Sequence, residues 1–204
     1  MPDWPTPSLW RVVLLENPWP LILVLAPVLA VLAWLWLQRR TRSLGLAAVA
    51  VLLVGAGAWA SATLVTTPRE KLRAATVGLV EAALHRPAAL RTLVHEPCVL
   101  TDADGQVHIS GPAAFVAIAE RAHRKYKIDG HASAVNRLDA RRLGGDRGQS
   151  FCAVTAMVSW QGIARPVPTE WLLTWQMPAT GPPRLVEARC LRIAGERATV
   201  AMFP

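Results

Sequence analysis

The sequence predicts an α+β fold class, in which a transmembrane helical hairpin precedes a soluble unit of helices and antiparallel strands. Two uncharged apolar runs, residues 18–37 and 44–65, each supply the roughly 20 helical residues that cross a bilayer. The polarity changes near Pro68, and residues 68–204 hold 18 of the 22 basic and 12 of the 14 acidic side chains. Within residues 68–204, segments with helical periodicity come first and four long strand-like segments follow, an order typical of α+β domains.

The hairpin is predicted over residues 18–67, with residues 38–43 as a tight loop that contains three arginines. Neither apolar run carries an ionisable residue, so we expect the hairpin to anchor or dock and not to conduct ions. The second run is rich in small residues, which let helix backbones approach closely. Its packing face is predicted at Gly55, Ala56, Gly57 and Ala60, either for the first helix or for another membrane protein.

Residues 1–17 are predicted to be an interfacial segment that lies before the first crossing. Arg39, Arg40 and Arg42 favour a cytoplasmic loop, because short cytoplasmic loops are enriched in arginine and lysine. We therefore expect an integral protein of a bacterial-type inner membrane, with residues 68–204 on the extracytoplasmic side. Basic residues over 69–73, just beyond the second run, argue for the opposite orientation, which stays open.

The α+β unit, residues 68–204, begins with an amphipathic helix of about 18 residues, because Pro68 suits a first helical turn and apolar residues recur at helical spacing. Asp104-Gly105 indicates a tight turn between two short strands. Alternating side chains then predict the longer strands. The predicted elements are helices at 68–85, 88–94 and 112–125, short strands at 98–101 and 106–110, and long strands at 128–143, 149–160, 165–177 and 184–193.

This order resembles the NTF2-like superfamily, also called SnoaL-like or ketosteroid-isomerase-like, over about residues 68–195. The local features are the Asp102–Gly105 turn before the strand that ends at Gly111, Phe115 with Ile118 on the next helix, and the strand with Trp171 and Trp175. The resemblance implies a cone, in which a curved antiparallel sheet wraps around three helices and encloses a cavity. Members include isomerases, dehydratases, ligand carriers and membrane-tethered assembly subunits, so the fold does not name the function.

The candidate site lies on the predicted strand over residues 165–177. Glu170 is the one catalytic candidate, because a carboxylate beside bulky aromatic rings in a closed cavity could serve as an acid or base. An outward-facing Glu170 that alternates with an inward-facing Trp171 is the other interpretation. Trp171 and Trp175, with Met157, are expected either to line a ligand pocket or to pack in the core.

No cofactor, metal or nucleic-acid site is predicted. The five histidines are dispersed, and Asp102–Gly105 lacks the later ligands of a calcium loop. The positive charge comes with no nucleic-acid recognition motif. Cys98, Cys152 and Cys190 each lie in an apolar strand-like context, which leaves their redox state open. The only tyrosine, Tyr126, ends the third predicted helix, whereas the steroid isomerases of the superfamily use a tyrosine on the first.

The sequence favours a non-catalytic accessory, scaffold or assembly subunit of a membrane complex. Its expected partners are the lipid bilayer and another membrane protein or a second copy of the chain. The alternative is a membrane-associated binding protein or enzyme, isomerase-like or dehydratase-like, that acts on an apolar small molecule in the cone.

Overall fold

The computed structural model describes residues 19–64, 67–160 and 162–203. The chain divides into two compact units, residues 1–67 and 68–204, which we call the N-terminal unit and the α+β unit. The interfacial segment predicted over residues 1–17 lies outside the described residues.

The described part of the N-terminal unit consists of two helices, α1 (Trp19–Arg39) and α2 (Arg42–Leu64). Both helices extend into the predicted loop, so only Arg40 and Thr41 separate them. Arg40 has φ +45° and its backbone N–H donates to the Trp36 carbonyl at 2.7 Å, a left-handed ending of α1. The helices run antiparallel, because a side chain at Gly45 would meet Trp36 near the loop and one at Gly55 would meet Leu25.

Within the described residues, one helical stretch, Ile22–Arg39, is long and apolar enough to cross a membrane. Such a stretch near an N-terminus is typical both of membrane anchors and of signal sequences. In α2, the apolar stretch found among the described residues is Arg42–Gly57. The two helices pair, whereas the structure supports only one candidate membrane helix in the part of the chain that it describes, and not the predicted transmembrane hairpin.

The α+β unit has a curved sheet against helices, which confirms the predicted α+β class. Its helices are α3 (Pro68–His85), α4 (Leu90–Leu93) and α5 (Pro112–Tyr126), with 3₁₀ turns at Pro87–Ala89 and Val200–Met202. Its strands are β1 (Val94–Thr101), β2 (Val107–Ser110), β3 (Asp129–Gly144), β4 (Arg147–Trp160), β5 (Ile163–Gln176), β6 (Arg184–Ile193) and β7 (Glu196–Arg197).

The sheet has the order β2-β1-β6-β5-β4-β3, and β7 pairs with β6. The β1–β6 pair is parallel, and every other described pair is antiparallel. Strand β1 begins at Val94 and not at Cys98 as predicted, because Val94 already pairs with Leu185 of β6, and the pairing shifts register between Val94 and Val99. That irregularity accommodates Pro97, which has no N–H to give to a ladder.

Candidate functional site

A cavity of about 550 Å³ lies between α3, α5 and one face of the sheet. Its helical walls are apolar, with Leu79 and Ala83 from α3 and Phe115 and Ile118 from α5. A volume of 300–1,000 Å³ is typical of small-molecule sites. The cavity is therefore the candidate functional site of the α+β unit.

Strand alternation decides which sheet residues reach the cavity. On β4 the even-numbered residues from Cys152 to Val158 line it, and on β5 the odd-numbered residues from Ile163 to Leu173 line it. The two strands pair without a register shift, so this one-face pattern holds over the whole hairpin.

Glu170 does not line the cavity. It has the opposite parity on β5, and its Oε2 lies 3.9 Å from Nε of Arg192 on β6, where both side chains are partly exposed. The weak catalytic candidate of the sequence therefore faces away from the site, because neighbouring residues of a strand point to opposite sides.

Trp171 does line the cavity, and its polar edge is bonded within the wall. Its Nε1–H donates to Thr169 Oγ1 at 2.9 Å, and the Thr169 hydroxyl donates to the Val154 carbonyl at 3.1 Å. Because both donors are used in the wall, the indole presents an apolar surface to the cavity. Ligand binding by Trp171 stays a prediction.

Trp175 and Met157 do not line the cavity. Met157 has the parity of the outer face of β4, between the lining residues Ala156 and Val158. Trp175 shares the face of Trp171 but lies deeper along β5, where it is fully buried in the core. The predicted three-residue ligand wall thus contains Trp171 alone.

Below the cavity, a chain of buried hydrogen bonds joins β5, β4 and α3. Trp175 Nε1–H donates to Ser150 Oγ at 2.8 Å, and Ser150 Oγ lies 2.7 Å from Thr76 Oγ1. The Thr76 hydroxyl donates to the Leu72 carbonyl at 2.8 Å, so the Ser150 hydroxyl must donate to Thr76. We call these four residues the hydrogen-bond chain.

The hydrogen-bond chain forms the floor of the cavity. On α3, β4 and β5, the member of the hydrogen-bond chain has a cavity-lining residue close to it in sequence. These lining residues are Leu79 near Thr76, Cys152 near Ser150, and Leu173 near Trp175. Thr76, Ser150 and Trp175 are each at most 1% exposed. The side-chain polar atoms of Thr76, Ser150 and Trp175 all have hydrogen-bond partners. A buried polar network stabilises a core only when its members are paired in this way.

Few of the described residues that line the cavity have polar or titratable side chains, and none of these is a carboxylate. His123 on α5 is held by a 2.7 Å hydrogen bond between its Nε2 and the Ala83 carbonyl, so Nε2 carries the proton. Tyr126 follows on the same helix, and Arg165 lies on β5. Sequence reasoning missed His123 and Arg165 as lining residues, although the parity shared by Arg165 and Trp171 was a signal for the latter.

The three cysteines are free thiols and are buried in the α+β unit. Burial raises the pKa of each of Cys98, Cys152 and Cys190 from 9.0 to about 12. They are therefore protonated at neutral pH, and Cys152 contributes to the cavity wall as a small apolar side chain.

The apolar C-terminal segment closes part of the cavity. Met202 and Phe203 line it, and the Phe203 ring stacks on His108 of β2 with centroids 5.0 Å apart.

The Asp102 turn is structural, because Oδ1 of Asp102 accepts from the N–H groups of Asp104 and Gln106 at 3.0 and 2.9 Å. Across the described ranges, no group of three or more His, Cys, Asp or Glu residues is placed to hold a metal ion.

The residues of the predicted packing face of α2 differ in their surroundings in the structure. A Cβ added at Gly55 would lie 3.7 Å from Leu25 Cδ1 of α1, so this residue belongs to the helix–helix contact. A Cβ added at Gly57 would meet no described atom within 4 Å, and Ala56 is exposed. The role of Ala56, Gly57 and Ala60 in packing against another protein stays a prediction.

No family model and no curated protein matches the chain. Among solved structures, an NTF2-like protein from Cytophaga hutchinsonii is 13% identical, with 61% of this chain and 98% of that chain covered and a TM-score of 0.49. An NTF2-like protein with a cystatin-like fold from Novosphingobium aromaticivorans is 18% identical, with 59% and 79% covered and a TM-score of 0.45. A protein with a ketosteroid isomerase-like fold from Catenulispora acidiphila, in complex with trimethylamine, is 17% identical, with 62% and 87% covered and a TM-score of 0.43. These structural neighbours are NTF2-like and ketosteroid isomerase-like proteins.

Proposed function

We propose that this chain is a membrane-anchored, NTF2-like binding protein that holds an apolar small molecule in the cavity of its α+β unit. The observation that carries the proposal is a cavity of about 550 Å³ whose described lining is almost wholly apolar and contains no carboxylate. Burial of an apolar ligand surface in such a cavity supplies the free energy of binding, at roughly 25 cal/mol per Å².

Binding is a better account of this geometry than the acid–base chemistry considered for Glu170. A general base must come within hydrogen-bond reach of the proton that it removes. Glu170 has the parity of the outer face and lies beside Arg192. The accessible polar atoms inside are therefore those of His123, Tyr126 and Arg165, of which His123 Nε2 is already bonded to the backbone.

Filling the cavity should weaken binding. We expect Ala156→Trp, which places an indole in the cavity, to weaken binding of the neutral fluorescent probe N-phenyl-1-naphthylamine by about tenfold or more. The measurement is a fluorescence titration of the full chain in lipid nanodiscs, with empty nanodiscs subtracted.

Ala164→Trp is the matched control for that experiment. Ala164 is exposed on β5 and has the parity of the outer face, in the same hairpin as Ala156. Its replacement should leave the probe affinity unchanged. Equal affinity in wild type and Ala156→Trp, or no signal above empty nanodiscs in the wild type, would contradict the binding function.

We propose that α1 and α2 both cross the membrane and that the α+β unit lies on the extracytoplasmic side. The antiparallel packing of the two helices and the two-residue connection at Arg40 and Thr41 support a hairpin that returns along its first helix. The positive charge of Arg39, Arg40 and Arg42 supports a cytoplasmic connection.

A second candidate function is that of an accessory subunit, in which α2 docks on another membrane protein. The observation that favours it is Gly57, where a side chain would meet no described atom within 4 Å, although small residues in membrane helices usually serve close packing. A phenylalanine at this position would keep the contact between α1 and α2 and block a close partner.

Native electrophoresis in mild detergent tests this candidate. We expect the wild type to migrate in a stoichiometric complex, and Gly57→Phe to migrate as the free chain. Leu53→Phe, at an exposed apolar position of the same helix, should retain the complex. Migration of the wild type alone would remove the accessory function and leave the binding function untouched.

A further inference from the structure

The cavity is closed at its floor and opens at the tip of the β4–β5 hairpin. Leu173 and Leu185, near the floor, are 2% and 1% exposed. At the other end, Ile163 is 54% exposed while it still lines the cavity, and Arg165 is exposed beside it. We call this end, marked by Ile163 and Arg165, the mouth.

Arg165 stands at the mouth on the same face as the apolar lining. It pairs with Val158 of β4, which also lines the cavity, so the two side chains are neighbours on one face of the hairpin. The long apolar stem of an arginine can lie along an apolar wall while the guanidinium stays in water. Arg165 can thus complete the wall and present its charge at the mouth.

Five carboxylates of the α+β unit pair with arginines other than Arg165: Glu170 with Arg192, Glu187 with Arg189, Asp139 with Arg137, Asp104 with Arg197, and Glu120 with Arg124. No ion pair joins Arg165 to an acidic group in the described part of the chain. The net charge of +6 over residues 68–204 adds a general attraction for anions.

We propose that the ligand is a single-chain amphiphile with an anionic head group, bound with its chain in the cavity and its carboxylate or phosphate at Arg165. This inference rests on the proposed binding function and names its ligand class. The guanidinium offers paired N–H donors that match the oxygens of either head group. Among the described lining residues, apolar walls, the Arg165 cation and the lack of a carboxylate disfavour a cationic ligand. A neutral head group can accept a hydrogen bond from Arg165 but gains no ion pair there.

Ligands that share one chain and differ in the head group test the proposal. Dodecanoate, dodecyl phosphate, dodecanol and dodecylammonium would each compete with N-phenyl-1-naphthylamine for the full chain in nanodiscs made of zwitterionic lipid. We expect at least one anion to bind about fivefold more tightly than dodecanol, the size of a partly exposed ion pair, and dodecylammonium to bind more weakly. A preference for the phosphate would point to a lipid as the source, and a preference for the carboxylate to a free acid.

Arg165→Gln should remove the preference for anions, because it should lower the affinity for the anions several-fold more than the affinity for dodecanol. Arg147→Gln is the matched control, because Arg147 is exposed at the far end of the same hairpin and its loss changes the net charge equally. Equal affinity for anions and dodecanol in the wild type, or a preference that survives in Arg165→Gln, would overturn this inference alone. Failure of all four compounds and of the probe to bind would instead overturn the proposed function.

Discussion

Replacement of Trp175 by alanine is expected to lower the free energy of unfolding of the α+β unit by about 3–5 kcal/mol. The indole is fully buried, and it is the first donor of the hydrogen-bond chain that ends at the Leu72 carbonyl. The variant leaves a void in the core and also removes a buried hydrogen bond, and the void is the larger effect. Trp175→Phe keeps most of the volume and loses the donor, so it should cost about 1–3 kcal/mol.

The three cysteines provide a measurement that reports on this unit alone. All three lie within residues 68–204 and are buried, so they should react with Ellman's reagent only when the α+β unit opens. Reactivity of the full chain in nanodiscs would be followed against urea concentration, and the shift in midpoint gives the loss of stability.

Trp171→Ala is the matched control for Trp175→Ala, because both tryptophans lie on the same face of β5. Trp171 opens onto an existing cavity, so its loss should cost less stability and should change the affinity for the probe. A midpoint for Trp175→Ala no lower than that for Trp171→Ala would contradict the assignment of Trp175 to the core.

Gly148→Ala is expected to destabilise the α+β unit by about 2–3 kcal/mol, at the upper end for overpacked cores. A Cβ at this position of β4 would lie 2.5 Å from Leu72 Cδ1 and 3.0 Å from Met177 Sδ. Leu72 is fully buried, so its side chain has no free space into which to turn. Gly148 also pairs with Trp175, and the glycine leaves room for α3 to pack directly over the sheet.

Gly78→Ala should raise the free energy of unfolding of the α+β unit, and it serves as the control. A Cβ at Gly78 of α3 would meet no described atom within 4 Å, and alanine is preferred to glycine inside a helix by about 0.5–1 kcal/mol. The same urea titration would measure both variants. A loss of stability in Gly78→Ala similar to that in Gly148→Ala would mean that close packing is not the cause.

Most helices and strands of the α+β unit could be predicted from the sequence, because alternation and turn residues are local signals. The hairpin of β4 and β5 shows strict alternation on both strands, and the structure pairs them without a register shift. Strand β7 was missed, because its turn contains Ala194, a non-glycine residue at φ +52°. The early start of β1 was missed because a helix that ends before Pro97 was predicted over residues 88–94, whereas tertiary pairing accommodates Pro97 at a register shift.

The sequence predicted which residues share a face of β5, but not which residues on that face reach the cavity. Alternation separates Glu170 from Trp171, and the structure follows that separation. The same rule placed Trp175 with Trp171, yet only Trp171 reaches the cavity. What separates them is the packing of α3 over the sheet at Gly148 and Ser150, a contact between segments more than seventy residues apart along the chain. No local pattern encodes such a contact, and Arg165 was overlooked because a charged residue near a turn is usually only solvated.

The hydrogen-bond chain at the floor has a consequence for how quickly a ligand binds and is released. The floor is fixed by directional bonds between three elements, whereas the mouth is bounded by Ile163, Arg165 and the short C-terminal segment with Met202 and Phe203. Local opening costs least where buried contacts are few. Release should therefore follow small excursions at the mouth, and the residence time of a guest should be set independently of the stability of the unit that holds it.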